Sequence, residues 1–492
     1  GQDGSRDVIV DSHGREVGYL GIQHAKPGQD LRLTIDNDLQ RAAELALGDR
    51  NGAIVAMDPR NGEILAMVSR PSFDPNEFAV RIDRADWNKL ITDPAHPLMN
   101  KAIQAQLAPG STFKILMSVA GLQEGIAQNL HVFCNGGANF YGHYYHCDEK
   151  HGAVDIHNAI PMSCDTFYYT LADKLGINRI SKYGEEFGFG QKTGIDLPGE
   201  QAGLMPSAEW VMKNYHRKWY AGETISVGIG QGAIEATPIQ LARIIGGIAS
   251  GGHMVRPHSV FPDELPEDFR RALADTYPGT GKAYVPIDPE NWDTITDGMA
   301  EVTQPGLYHT AGSAHLDGID LAGKTGTAQV MSHEALSHVA KSHSNNPNVW
   351  FIGVVPRRNP ELVVAVLWQN GSFSFYPARI GAQIVAAYVE KQRRLAHNLQ
   401  PVKQTPPVPV EVGAIWSQPG PDGANSNGET ARISGGHFFV NPGAATAAKT
   451  VAQNAPERAQ VHRLEPPAKG PKPPANPSEL GVLLPSLPWK KP

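Results

Sequence analysis

The feature that most constrains the fold is the wide separation of the chain's strand-like apolar runs. One pair comes early, in GAIVAMDPRNGEILAMVS (52–69), around the turn residues Asp58-Pro59-Arg60-Asn61-Gly62. Three more come late, in LAGKTGTAQV (321–330), VWFIGVVP (349–356) and ELVVAVLWQ (361–369). Runs this apolar belong in an interior, and buried backbone N–H and C=O groups must find partners. The economical solution is one sheet assembled from both ends of the chain. Helical signals surround it. In TIDNDLQRAAELALG, Asp36 is a plausible N-cap, Leu39, Ala42, Ala43, Ala46 and Leu47 share a face, and Gly48 is a stop. A helix-rich block is expected over about 111–250. ARIGAQIVAAYVEKQRRLA closes the series, with Ile380, Ile384, Ala387 and Tyr388 at helical spacing. Strand hairpin, helical block, strands and closing helix imply an α+β fold: an antiparallel sheet flanked by helices, with a helix-rich subdomain.

Composition sets the limits of that fold. The 492 residues are 41% hydrophobic, enough for a sizeable core in the first four hundred. Net charge is -7 with no long Lys/Arg block, which argues against nucleic acid as a partner. No apolar run approaches the roughly 18 residues of a membrane span. The chain starts Gly-Gln-Asp without a signal-peptide pattern, so it reads as cytosolic or as the body of a longer chain whose leader or anchor is absent. Beyond residue 397 come QTPPVPVEVG, EPPAKGPKPPANPSEL and LPSLPWKKP. A segment this rich in proline and poor in apolar periodicity buries too little surface to offset its ordering entropy, so 398–492 is expected to be a disordered tail.

The chemistry centres on LAPGSTFKILMSVAGLQEG (107–125). Pro109-Gly110 breaks the preceding structure, and Ser111 is expected to open a helix with Lys114 on the same face. A serine is a weak nucleophile unless a neighbouring base takes its proton, and a desolvated lysine can be that base. Alone, the motif reads mostly as an N-cap serine followed by a surface lysine. Two further stretches change the weighting. MSCDTFYY puts Ser163, Cys164 and Asp165 at another loop-to-helix junction. AGKTGTAQV puts Lys324, Thr325, Gly326 and Thr327 on an apolar strand, where Gly326 permits close backbone approach and Lys324 and Thr325 suit an anion. In this order S-x-x-K, S-x-[ND] and K-T-G are the signature of β-lactamases and penicillin-binding proteins.

Over about residues 20–395 the chain resembles the transpeptidase domain of class B penicillin-binding proteins, in particular the penicillin-binding protein 2 branch of the cell-elongation machinery. LTIDNDLQ, GAIVAMDPRNGEILAMVSRPSFDPNEF, SVGIGQG, ATPIQLA and KTGTAQ carry the resemblance. The long stretch from Ser163 to Lys324, without an E-x-x-L-N segment for a deacylating glutamate, sets it apart from class A β-lactamases. The resemblance implies a penicillin-binding-protein/β-lactamase-like fold with residues 1–34 as the remnant of an N-terminal pedestal and 35–397 as the transpeptidase domain. It implies that Ser111 attacks the D-Ala-D-Ala carbonyl of a peptidoglycan stem peptide, that Lys114 is the base and that Ser163 relays the proton. Lys324 would support them electrostatically. Thr325 and Thr327 would bind the substrate carboxylate beside Gly326, and the N–H groups of Ser111 and Thr327 would form the oxyanion hole. β-Lactams would acylate Ser111. A membrane-embedded glycosyltransferase of the elongation complex would be the partner, and the site would face the periplasm from the inner membrane. A penicillin sensor or a non-catalytic scaffold on the same fold are the alternatives. Two departures stand out: Asp165, where Asn is commoner, cannot donate hydrogen bonds when ionised, and QPGLYHTAGSA replaces a plainer Gly-Thr-Ala upstream of K-T-G.

The three cysteines crowd into 134–164. Outside the cytoplasm a disulfide is the default, but three cysteines leave one unpaired. Twelve residues separate Cys134 from Cys147, three separate Cys147 from His151, and twelve separate His151 from Cys164. That pattern suits a Cys3His structural zinc site, and the resemblance implies a metal site here. His143 and His146 compete for the histidine position, and one disulfide plus a buried thiol is the other reading.

Overall fold

The computed structural model describes residues 1–28, 30–78, 82–276, 282–330, 346–371 and 373–397. The expected tail, 398–492, lies outside them. Among the described residues no helix is long and apolar enough to cross a membrane.

The early hairpin is Gly52–Met57 (β1) and Ile64–Arg70 (β2); the late strands are Ala322–Ala328 (β3), Asn348–Val355 (β4) and Leu362–Trp368 (β5). All five join in one antiparallel sheet of order β3-β4-β5-β1-β2. The two ends of the chain meet where β5 pairs with β1, Val363 opposite Met57 and Trp368 opposite Gly52. Central β1 is buried at every residue, which is why its sequence is a continuous apolar run; edge β2 shows period-two alternation.

The helices that cover the sheet or carry the site are Asn37–Leu47 (α1), Lys114–Gln123 (α2), Ile156–Met162 (α3), Asp165–Leu175 (α4), Pro238–Ala249 (α5), Pro289–Val302 (α6) and Phe375–Ala396 (α7). In α1 the Asp36 side chain accepts from the N–H groups of Asp38 and Leu39, and Leu39, Ala43 and Leu47 are the buried face. α7 buries Ile380, Ile384 and Tyr388, and Lys391 reaches back to Asp36 at 2.7 Å. Gly246 of α5 lies against Val363, and Gly381 of α7 against Val366. These two β5 positions have opposite parity, so α5 and α7 cover opposite faces of the sheet. α5 is buried at all twelve positions.

The stretch expected to be helical over 111–250 is interrupted. Val132–Cys134 pairs with Gly152–Val154, and Gly137–Phe140 with His143–His146. Strands of three or four residues are too short to show a period, which is why the sequence reading missed them. Near the N-terminus Ser5–Val10 pairs with Glu16–Gln23 as an exposed hairpin.

Candidate active site and metal centre

Ser111 sits in a 3₁₀ turn, Gly110–Phe113, and the α-helix proper starts at Lys114. The expected helix opening is therefore tighter than α. In 3₁₀ geometry side chains three apart eclipse, which puts Ser111 and Lys114 on one face. The turn is set by close backbone approach. Gly110 has φ +54°, and a Cβ there would lie 2.5 Å from the Thr327 carbonyl oxygen. Its N–H donates to the Gly230 carbonyl at 2.9 Å, and Gly230 tolerates no Cβ either, with the Gly110 oxygen 2.1 Å from where it would be. Thus SVGIGQG and APGSTFK fit together through two glycines.

Lys114 is fully buried, and its Nζ donates to the Ser163 carbonyl at 2.8 Å, the Ser163 hydroxyl at 3.2 Å and the Asp165 carboxylate at 2.6 Å. An ammonium has three protons, so this set uses all of them. Ser163 caps the end of α3 in the left-handed region, φ 54° and ψ 37°, and Cys164 then opens α4. A non-glycine residue held there is strained, a feature that gathers at functional sites. Burial pushes the Asp165 carboxyl up to about 6, against the pull of the Lys114 charge. Its Oδ1 accepts from Lys114, so the aspartate that stands where asparagine is commoner is paired with a buried ammonium. Lys114 also lies 5.3 Å over the Tyr168 ring, whose hydroxyl meets Ser118 at 2.8 Å.

β3 is an edge strand, so one row of its backbone groups is free of sheet pairing and faces the Ser111 turn. Gly326 approaches Pro109 and Thr112 closely; a Cβ would lie 2.8 Å from the Pro109 oxygen. Lys324 is fully buried and donates to the Thr325 carbonyl at 3.3 Å. Burial, with the nearby Lys114 charge, holds its ammonium well below the ordinary lysine range. Two positioning contacts were given no role in the sequence, although Gln231 lies in SVGIGQG: Gln231 donates to the Thr327 carbonyl at 3.1 Å, and the Trp350 indole to the Ala108 carbonyl at 3.0 Å.

The four residues of the cysteine pattern also meet. Ligand atoms of Cys134, Cys147, His151 and Cys164 all lie within 4.8 Å of one another. All three cysteines are buried and free, and His151 Nδ1 is 3.4 Å from Cys147 Sγ and 3.6 Å from Cys134 Sγ. The crowding has an electrostatic signature. Cys147 is pulled down to about 2, first by its hydrogen bond with Cys164, which is itself pushed up. Burial pulls the His151 ring down, but hydrogen bonds and charge from Cys147 and Cys134 carry it up to about 9. Three sulfurs and an imidazole nitrogen drawn this close suit a tetrahedral cation with thiolate ligands. The Thr166 hydroxyl donates to Cys134 Sγ at 3.2 Å as an outer partner. His143 and His146 lie on the exposed 137–146 hairpin; the cluster takes His151. Cys164 separates Ser163 from Asp165, so the cluster and the lysine network share one three-residue segment.

The site's relatives share this frame. Residues 52–390 match the penicillin binding protein transpeptidase domain family. The peptidoglycan D,D-transpeptidase MrdA of Acinetobacter baumannii is 37% identical over 385 residues, covering 75% of this chain and 55% of that protein. The enzyme of the same name from Escherichia coli K12 is 34% identical over 388 residues, covering 75% of this chain and 59% of that one. The chain thus spans little more than half the length of these curated relatives. The Pseudomonas aeruginosa PBP2 structure in complex with WCK 5153 superposes with a TM-score of 0.66 at 37% identity, over 78% of this chain and 80% of that one. The structure of PBP2 with MreC from Helicobacter pylori superposes with a TM-score of 0.65 at 27% identity, over 79% and 69%. This chain belongs to the penicillin-binding protein transpeptidase family and, within it, resembles the class B proteins of the penicillin-binding protein 2 type.

Proposed function

We propose that the chain is the catalytic part of a serine D,D-transpeptidase that cross-links peptidoglycan stem peptides in lateral-wall elongation and is acylated by β-lactams. The observation that carries this reading is the Lys114 network: a buried ammonium held by Ser163 and Asp165, one tight turn from Ser111 and alongside the K-T-G edge strand. Ser111 Oγ attacks the carbonyl carbon of the penultimate D-alanine. Its proton passes to Lys114, which must first give one up; the Asp165 carboxylate at 2.6 Å is the nearest acceptor. The N–H groups of Ser111 and Thr327 receive the developing oxyanion. The C–N bond breaks, Ser163 passes its proton to the leaving nitrogen and takes one from Lys114 at 3.2 Å, and D-alanine departs. An amine of a neighbouring stem then attacks the ester, forming the cross-link and restoring the Ser111 hydroxyl. Thr325 and Thr327 hold the substrate's terminal carboxylate, and the Lys324 side chain, buried beneath them, supports the network.

A structural zinc ion held by Cys134, Cys147, His151 and Cys164 is part of the proposal. Four protein ligands leave no open position for water, so the ion pins the 134–164 loop rather than reacting. The polymerising partner is a membrane-embedded glycosyltransferase, and the domain faces the periplasm from the inner membrane, where the cross-linking substrate lies.

Mass spectrometry after incubation with labelled benzylpenicillin tests the reading. The expected result is one long-lived adduct on Ser111, absent in Ser111→Ala and slowed by roughly 10²- to 10⁴-fold in Lys114→Ala, the usual contribution of a general base. Rapid release of penicilloate, or label on another serine, overturns it.

A further inference from the structure

The loop between α6 and β3 reaches the site at a residue to which no role has been given. We propose that Thr310 is a positioning residue for the anionic end of the substrate: its hydroxyl sets the direction in which the single hydroxyl proton of Thr325 points. This rests on the reading of Thr325 as a carboxylate ligand.

The geometry is specific. Thr325 is 2% exposed, and its Oγ1 donates to Thr310 Oγ1 at 2.7 Å. Nothing in the backbone pairing of β3 requires that contact, because it joins two side chains fifteen residues apart. The loop that delivers Thr310 is pinned at several points. The Thr303 hydroxyl donates to the Leu321 carbonyl at 2.6 Å, closing its base. The Ala311 N–H donates to the Val302 carbonyl at 3.0 Å, and Ala311 and Ala314 are fully buried. Tyr308, held at φ +66°, sets its ring edge-on to the His151 ring at 5.5 Å. The loop therefore touches the cysteine–histidine cluster with one residue and the K-T-G strand with the next but one.

A hydroxyl has one proton and two lone pairs. Two hydroxyls at 2.7 Å share one of their two protons. If Thr325 donates to Thr310, it presents lone pairs to the site and repels an anion. If Thr310 donates to Thr325, the Thr325 proton is free for a carboxylate oxygen. The structure has the first arrangement. An arriving anion draws the Thr325 proton to itself, and the Thr310 hydroxyl turns to donate to the Thr325 lone pair. Without Thr310 the Thr325 hydroxyl loses its buried partner and its fixed direction.

The test compares acylation of the wild type, Thr310→Val and Thr310→Ser by benzylpenicillin and by its methyl ester, resolving the non-covalent binding constant from the acylation step. A hydrogen bond to a charged group is stronger than one between neutral groups, and losing its alignment forfeits a large part of it. Thr310→Val is expected to weaken binding of the free acid roughly 10-fold, with the acylation step nearly unchanged. Thr310→Ser should return to within about twofold of wild type, because it restores the hydroxyl. The ester, which lacks the anion, should be indifferent to either change. In a Thr325→Val background, Thr310→Val should add nothing. Equal losses for acid and ester, unchanged binding of the acid, or additive effects in the double variant each overturn the proposal. Thr310→Ala replaces Thr310→Val should the latter not fold. Failure of the wild type to be acylated by either compound sinks the transpeptidase reading itself, and is thereby told apart from failure of the Thr310 assignment.

Discussion

The central sheet and the 132–154 segment are both built from strands, yet they hold their shape by different physics. In the sheet, all six residues of β1 are buried, and Trp350 and Phe351 of β4 are fully buried two strands away. Apolar burial of that extent stabilises by area alone. In the segment, the strands are three or four residues long, and Phe133 and Tyr141 are 76% and 65% exposed. A piece this small has no core of its own, and short units of this kind need staples. Its fastenings are polar: the cysteine–histidine cluster, the Tyr169 hydroxyl donating to the His146 carbonyl at 2.9 Å, and the Tyr145 hydroxyl to the Gly222 carbonyl at 3.3 Å. The difference teaches that the segment 163–165 is held from two sides, by an apolar core and by a cysteine–histidine cluster.

The largest expected effect breaks the sheet. Trp350→Ala removes a fully buried indole and its bond to Ala108 and should cost about 3–5 kcal/mol of global stability, read by urea unfolding with one cooperative transition. The acylation site should be lost only with the fold.

The next breaks the cluster and spares the sheet. Cys164→Ser should lose bound zinc, measured by elemental analysis, and should slow penicillin acylation while the core transition persists. Serine is a better N-cap than cysteine for α4, so any loss cannot be assigned to that helix end. Chelation of the wild type should act in the same direction and expose 133–152 to proteolysis. The thiolates must be deprotonated to bind metal, so affinity should fall as pH falls. Less than about half an equivalent of zinc with two thiols missing on denatured titration would replace the metal by a disulfide.

Thr166→Val sharpens the contrast. It removes only the outer hydroxyl donor to Cys134 and should weaken zinc binding by roughly 10- to 100-fold in a competition titration, with the urea midpoint unmoved.

The smallest effect concerns the seam where the segment meets the turn before Ala221–Val227. Arg217 pairs with Glu223 at 2.6 Å, and that hydrogen bond holds the Glu223 carboxyl below its ordinary 4.5. The folded state therefore binds this proton less readily than the unfolded one. The contribution is present above pH about 4.5 and is lost as pH falls through the lower folded value. Glu223→Gln should flatten the acid limb of stability by under about 1 kcal/mol, since the pair is partly exposed. An unchanged limb removes the pair from the account.

Much of this was legible in the residues because it rests on local rules. Asp36 and Gly48 bracket α1 through capping chemistry, and the runs at 52–69 and 349–369 are apolar because they lie inside a sheet. The order S-x-x-K, S-x-D, K-T-G pointed to side chains that gather around Lys114, and the spacing of Cys134, Cys147, His151 and Cys164 pointed to four side chains that meet, since both depend on residue type and order alone. The tertiary structure decided what depends on distance between segments remote in the chain. It paired β5 with β1, turned the Asp165 carboxylate toward Lys114, chose His151 over His143 and His146, and brought Gln231 to Thr327 and Thr310 to Thr325. Contacts of that kind leave no periodic or spacing signal. A hydroxyl or amide that serves a distant partner looks, in sequence, like any other loop residue, and only the packing of the intervening chain sets its direction.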